Sequence, residues 1–378
     1  MKTLVIYTPT WYAFGGGEKY LMLLAEVLSG LEGTSVVMLS ENREINKSVL
    51  EKFSGADLSD VQYKLVHDSN ELNTLAGDAD IFINLSTFRA VRTSARKMVQ
   101  VLQIPYGKIN PATILSKMLR WELREAGKDI YRLQLHSFAR KQASLVLVYS
   151  EFVRGVLLRN FGITGTVLYP PIQDYFRSGI SKKNIILSVG RIFRGLYNDK
   201  RYDILTKAFR QASHKELSGW EYHIAGSVAQ DPATSEYLEL LRDENKNYPI
   251  YFHVNEPYES LVRLYNEASV FWHAAGYNVD EKTNPENVEH FGMTTIESMS
   301  ARCIPVVINK GGQRESVSHG VDGFLWSGID ELIARTSDVI NGRCDLEDIR
   351  RNARKRYEDF DLDHFRRNVV ELFSPLLK

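Results

Sequence analysis

Short apolar or β-branched runs recur through the first half of the chain, at residues 4–8, 35–39, 62–66, 80–85, 98–104 and 145–149. Between several of them the apolar positions fall at helical spacing, notably over 18–28 and 111–142. That alternation predicts a parallel sheet with helices on both faces. Tyr169-Pro170-Pro171-Ile172 then interrupts it. Neither a helix nor a central strand continues through two prolines, so the segment predicts an interdomain connection. The pattern restarts with strands at 184–190, 220–226, 249–254, 269–273 and 304–309, separated by helical segments such as 200–213, 257–268 and 292–301. Leu362–Leu377 closes the chain as an apolar-periodic helix after a charged stretch. The expected fold class is α/β, with two Rossmann-like domains facing each other across a cleft and ligands at the carboxyl ends of the strands.

Composition narrows the class. A chain of 378 residues is long enough for two domains, and 44% hydrophobic with 25% charged residues is the balance of a soluble globular protein. No apolar run approaches the roughly 18 residues of a membrane span, and the opening Met1-Lys2-Thr3-Leu4-Val5-Ile6 reads as a first strand, not a signal peptide. Cys303 and Cys344 build neither a disulfide framework nor a zinc cluster, so a reducing cytoplasm is the default. The net charge of zero is unevenly placed: residues 1–170 carry 20 basic against 16 acidic side chains. Within 89–141 twelve cations, from Arg89 and Arg92 to Arg140 and Lys141, face only Glu122, Glu125 and Asp129. A basic face of that size suits an anionic lipid or a phosphorylated acceptor; a solvated helical surface is the competing reading.

The candidate chemistry centres on Glu289-His290-Phe291-Gly292-Met293-Thr294-Thr295-Ile296-Glu297, two acids eight positions apart across a glycine turn and a helix opening. A helix N-terminus suits a phosphate, and flanking carboxylates suit hydroxyls. Together they describe a pocket for a sugar joined through a diphosphate to a ribose-like sugar. A fully helical run of this length rises about 12 Å, too far for the carboxylates of a retaining glycosidase, which stand about 5–5.5 Å apart. Solvated or capping glutamates on an ordinary helix are the alternative.

Three further sites accompany it. Phe14-Gly15-Gly16-Gly17-Glu18 follows the first strand and lets the backbone approach a phosphate or sugar. A dinucleotide fingerprint needs glycine where Tyr20 stands, which disfavours a nicotinamide dehydrogenase; a tight strand-to-helix turn is the other reading. Ser188-Val189-Gly190-Arg191 ends a strand, and a polar loop leads from it to Lys200 at a predicted helix start. Two fixed cations there could neutralise a diphosphate leaving group without a metal; solvated loop cations are the alternative. His273 ends another strand, where a packed or capping histidine is expected over a ligand contact. No His-x-Glu, Cys-x-x-Cys or Asp-x-Asp arrangement stands out, which disfavours a metal-dependent transferase.

In this order the motifs resemble glycosyltransferase family 4, retaining nucleotide-sugar-dependent enzymes of the two-domain GT-B type, over nearly the whole chain. The carriers are Gly15-Gly16-Gly17-Glu18, Val189-Gly190-Arg191 with Lys200, the Glu289 to Glu297 segment, and Gly311-Gly312-Gln313-Arg314-Glu315. The resemblance implies a catalytic set of Glu289, Arg191 and Lys200. Glu289 would lie near the hydroxyls of the transferred hexose, and the backbone of Phe291, Gly292, Met293 and Thr294 would meet that sugar and the diphosphate. Glu297 would hold the ribose. Arg191 and Lys200, beside Gly190, would bind the diphosphate and stabilise its departure. Gly16 and Gly17 would approach the phosphates when the cleft closes. The resemblance also sends the last helix, 361–378, back to a first, acceptor-binding domain of residues 1–172, with 173–360 binding the donor. Many relatives place a histidine after the strand matching 98–104, where this chain has Gln103-Ile104-Pro105-Tyr106. Gln103, Tyr106 and Lys108 are therefore expected on the acceptor side. Retaining transfer in this family proceeds on one face with the leaving phosphate assisting the acceptor, so no protein base, metal or cofactor is implied beyond the donor itself.

Tyr169-Pro170-Pro171, Trp272-His273-Ala274-Ala275-Gly276 and Glu289-His290-Phe291-Gly292 resemble bacterial enzymes of lipopolysaccharide O-antigen or capsule assembly. The implied reaction is transfer of a hexose, with mannose from GDP-mannose favoured, to a glycan or polyprenyl-diphosphate-linked acceptor. A non-catalytic sugar-nucleotide-binding subunit and a GT-B sugar-nucleotide epimerase are the alternatives. Met118, Leu119, Trp121, Leu123, Ile130, Tyr131, Leu133 and Leu135 lie among the cations of 111–142. An interfacial helix on an anionic membrane is one reading of them and a core-packing helix the other. The expected protein is cytoplasmic or peripheral on the cytoplasmic face, with no nucleic acid partner.

Overall fold

The computed structural model describes the chain except residues 12–14, 86–90, 92, 196, 230 and 344. Phe14 of the glycine loop, Arg89 and Arg92 of the basic run, Leu196 of the loop before Lys200, and Cys344 therefore lie outside the described residues. Two compact units result, Met1–Pro171 with Leu362–Lys378, and Ile172–Asp361.

The first unit runs β1 (Lys2–Tyr7), α1 (Gly16–Ser29), β2 (Thr34–Ser40), α2 (Lys47–Ser54), β3 (Val61–Leu65), α3 (Ser69–Gly77), β4 (Ile81–Leu85) and β5 (Lys97–Leu102). It continues through α4 (Pro111–Leu119), α5 (Leu123–Gln142), β6 (Leu145–Val148), α6 (Glu151–Phe161) and β7 (Thr166–Val167). Its sheet has the order β3-β2-β1-β4-β5-β6-β7, parallel throughout. Successive side chains on a strand point to opposite faces. Leu4 and Ile6 accordingly enter one core with α1, while Val5 and Tyr7 enter another with Leu72 and Ala76 of α3. Burial on both faces explains why these strands read as continuous apolar runs.

The second unit runs β8 (Lys183–Val189), α7 (Tyr202–Ala212), β9 (Glu221–Gly226), α8 (Pro232–Asn245), β10 (Ile250–Val254), α9 (Tyr258–Glu267) and β11 (Ala268–His273). Then come α10 (Met293–Ser300), β12 (Ile304–Ile308), α11 (Gln313–Ser316), β13 (Phe324–Trp326), α12 (Ile329–Ile340) and α13 (Leu346–Tyr357). Its parallel sheet has the order β10-β9-β8-β11-β12-β13. The last helix, α14 (Leu362–Leu377), returns to the first unit. Phe365, Val369 and Phe373, spaced four apart on one face, bury themselves in the core beside α1. Phe365 meets Tyr20 edge-on at 5.5 Å between ring centroids.

One element departs from its sequence pattern. The helical stretch 111–142 is two helices, because the chain turns at Arg120–Glu122 with Trp121 at φ +61°. Its interior is partly charged: Asp129 and Arg132 are buried, and Asp129 accepts from both Lys117 and Arg132. The stretch is therefore a helical hairpin and not one continuous helix.

Buried His136 of α5 is expected to make this unit acid-sensitive. Its ring stacks on Phe161 at 3.8 Å, and Nδ1 donates to the Arg132 carbonyl at 2.7 Å. Burial pushes its pKa down from 6.5 to about 4. As pH falls below 6.5 the unfolded chain takes up a proton that the native state refuses, so stability falls with it, down to the native pKa. At pH 5 the cost is about 2 kcal/mol. The urea midpoint is expected to drop between pH 7 and pH 5, and His136→Gln to flatten that drop. An unchanged slope in the variant would assign the acid sensitivity to other groups.

Candidate functional site

In the second sheet the strand order reverses between β8 and β11. A doubly wound sheet opens a crevice for ligands at that point, beyond the carboxyl ends of its strands. Gly190 and Arg191 follow β8 directly, and His273 is the last residue of β11. A Cβ on Gly190 would come within 2.9 Å of Lys200 Cε, so the glycine leaves room for the methylene stem of that lysine. The loop from 191 to 201 is pinned at its far end by Arg201. Its guanidinium forks onto both carboxylate oxygens of Asp203, each at 3.0 Å, and donates to the Tyr277 carbonyl at 2.9 Å.

This arrangement delivers Lys200 to Glu289. Lys200 Nζ donates to Glu289 Oε2 at 2.6 Å, His273 Nε2 donates to the same oxygen at 2.9 Å, and Asn198 Nδ2 donates to Oε1 at 3.3 Å. Glu289 and His273 are both buried. Burial pushes the Glu289 carboxyl up, but the Lys200 ammonium and the His273 hydrogen bond outweigh it and hold the group well below the usual carboxylate range. Burial pushes His273 down, so it is a neutral ring with its proton on Nε2. The result is an ionised, acceptor-only carboxylate inside a protein wall, with an ammonium as its counter-ion.

Glu289 stands outside the helix, which begins only at Met293 after Gly292 at φ +99°. The rise of a fully helical eight-residue run therefore does not describe the spacing of Glu289 and Glu297. The extended part is clamped by its neighbours. Gly312 N–H donates to the Glu289 carbonyl at 2.8 Å, and Ser316 Oγ donates to the Phe291 carbonyl at 2.8 Å. Phe291 is buried edge-on to Phe360, so its backbone and not its ring is the part near the turn. Met293 and Thr294 occupy the first positions of α10, where backbone N–H groups have no partner within the helix. Glu297, half-buried on α10, accepts from the Tyr265 hydroxyl at 2.7 Å. Arg191 is exposed, its guanidinium 5.2 Å from the centre of the Phe193 ring, and no contact joins it to Glu289 among the described residues.

In the first unit the glycine loop and Gln103 meet. A Cβ on Gly17 would come within 2.8 Å of Gln103 Oε1, while Gly16 is exposed. Glu18 is spent on the loop itself, accepting from Gly15 N–H at 3.0 Å and Thr10 Oγ1 at 2.7 Å. Tyr106 is buried with the Arg132 guanidinium 4.3 Å over its ring, and Lys108 is exposed.

Residues 173–356 match the family model described as Glycosyl transferases group 1. The chain carries a group 1 glycosyltransferase domain. The chain is similar to the GDP-Man:Man(3)GlcNAc(2)-PP-Dol alpha-1,2-mannosyltransferase of Dictyostelium discoideum, 28% identical over 60% of this chain and 45% of the relative. It is also similar to human alpha-1,3/1,6-mannosyltransferase ALG2, 25% identical over 52% of this chain and 50% of the relative. The chain thus spans about half the length of the relatives it matches. Among solved structures, Anabaena Alr3699/HepE in complex with UDP superposes with a TM-score of 0.72 at 17% identity, over 99% of this chain and 100% of that one. A Rickettsia africae glycosyltransferase does so with a TM-score of 0.73 at 18% identity, over 100% and 99%. The fold is GT-B.

Within the group 1 domain two contacts escaped sequence reasoning. His273, expected as a packed or capping residue, is a hydrogen-bond partner of Glu289. Its place at the last residue of the switch-point strand was the available signal. Asn198 carried none, because a polar loop residue at φ +62° has no periodicity to reveal its direction.

Proposed function

We propose that the chain is a retaining, metal-independent hexosyltransferase that moves mannose from GDP-mannose to a glycan or polyprenyl-diphosphate-linked acceptor. The observation that carries this reading is buried, ionised Glu289 held by Lys200 and His273 just ahead of the α10 N-terminus. In the proposed complex the diphosphate takes Lys200 as its counter-ion and draws on Arg191 and the Met293 and Thr294 amides. Glu289 then accepts from hexose hydroxyls while His273 still donates to it, and Glu297 accepts from the ribose. The mannose preference is supported by the names of the two mannosyltransferases similar to this chain. Lipid-borne acceptors would make it a peripheral protein at the cytoplasmic face of a membrane; no helix among the described residues is long and apolar enough to cross one.

Titration calorimetry with GDP-mannose, UDP-glucose and ADP-glucose tests the reading. GDP-mannose is expected to bind most tightly, with or without EDTA. Tight binding of the UDP-sugar alone would overturn the mannose assignment, and no binding of any would overturn the donor site.

A further inference from the structure

The α4–α5 turn presents an apolar surface that the fold does not use. Leu115, Met118, Leu119, Trp121, Leu123 and Tyr131 are all exposed, with Leu119 at 74% and Trp121 at 84%. They lie within 17 consecutive residues of one helical hairpin. The hairpin's inward face meanwhile buries Ile114, Ala126, Leu135 and Ala139 together with a charged group, Asp129, which bridges Lys117 of α4 and Arg132 of α5. A tryptophan at φ +61° is an uncommon conformation for a bulky residue, and here the ring gains no burial in return. Exposed Arg120 and Arg124 flank it, and exposed Lys108 precedes α4; Glu122 and Glu125 are the acids beside them, with Glu125 paired to Lys128 at 2.6 Å.

Large apolar side chains at a tip, a tryptophan among them and arginines beside it, match the chemistry of a bilayer's headgroup region. There rings sit at the boundary and cations meet anionic lipid. The exposed arginines beside the apolar centre supply the positive charge that an anionic headgroup layer attracts. We infer that the α4–α5 turn is a docking wedge for an anionic membrane, entering the interface through Leu119, Trp121 and Leu123. This deepens the proposed reading by naming the surface that meets the membrane of a lipid-linked acceptor, and it rests on that reading only for the acceptor. Binding to lipid needs neither donor nor catalysis, so the two fail separately.

The test is flotation of the purified full chain with vesicles of phosphatidylcholine alone or mixed with phosphatidylglycerol, at low and high salt. The wild-type chain is expected to float with the mixed vesicles at low salt. Leu119→Ser combined with Trp121→Ser is expected to weaken that binding about tenfold or more, with an unchanged circular dichroism spectrum and unchanged calorimetric binding of GDP-mannose. Arg120→Gln with Arg124→Gln is expected to remove the preference for phosphatidylglycerol. A wild-type chain that does not float, or a serine variant that floats as well as wild type, overturns the proposal. So does sedimentation showing a wild-type dimer and a monomeric serine variant without flotation, which assigns the face to a second copy of the chain.

Discussion

Glu289→Gln is expected to slow mannosyl transfer by about 10²–10³-fold, the scale of removing one preorganised electrostatic group from a reaction site. Lys200→Ala should do the same by removing the cation proposed to receive the diphosphate. Both positions are buried or nearly so, and breaking a buried ion pair by deleting one partner costs about 3–5 kcal/mol of stability. A loss of activity alone is therefore ambiguous, because an unfolded enzyme is also inactive. Glu289→Gln combined with Lys200→Met separates the effects. With both charges gone no unpaired ion is left inside, so the double variant should melt above either single variant. Transfer should stay at the lowest level, since neither group is restored. Turnover close to wild type in both single variants would remove Glu289 and Lys200 from the chemistry altogether.

The fold was legible because its strands are buried on two faces. Residues 35–39 and 145–149 carry enough apolar character to be found within one residue of β2 and β6 at each end. Edge strands β7 and β13 escaped, since two or three residues, Thr166–Val167 and Phe324–Trp326, are too short to show a period. The turn at Trp121 escaped for another reason: neither glycine nor proline marks it, and the buried Asp129 network that fixes the hairpin is a tertiary fact. The site divides the same way. Glu289, Lys200 and Arg191 carry motif spacing, whereas the meeting of Asn198, Lys200 and His273 on one carboxylate joins residues 16 to 91 positions apart. Topology creates that meeting at the β8/β11 switch point, and local pattern encodes only its separate parts. Gln103 shows the complement, a residue whose place against Gly17 no spacing foretells.

Gly312→Ala should weaken donor binding and slow transfer about 10²-fold through geometry alone. Gly312 has φ −67° and ψ −13°, a conformation open to any residue, so alanine brings no torsional penalty of its own. The obstacle is contact: a Cβ there would stand 2.4 Å from the His290 carbonyl oxygen and 2.5 Å from Phe291 Cα. Both are backbone atoms and cannot rotate aside, so the chain carrying Glu289 must move. The Gly312 N–H bond to the Glu289 carbonyl couples the two segments, and the displacement reaches the carboxylate that Lys200 and His273 hold. Overpacking of this kind costs about 1–3 kcal/mol, which lowers the melting temperature without unfolding the domain. A displacement of about 1 Å at a reacting group costs about 10²-fold in rate, so function should fail well before stability does. Gly328→Ala is the matched control, because its φ is −131° and a Cβ there meets nothing within 4 Å. Calorimetry with GDP-mannose and thermal melts on both variants read the two effects separately. If Gly312→Ala binds donor and turns over as Gly328→Ala does, the segment around Glu289 tolerates displacement, and a site built on its fixed position is wrong.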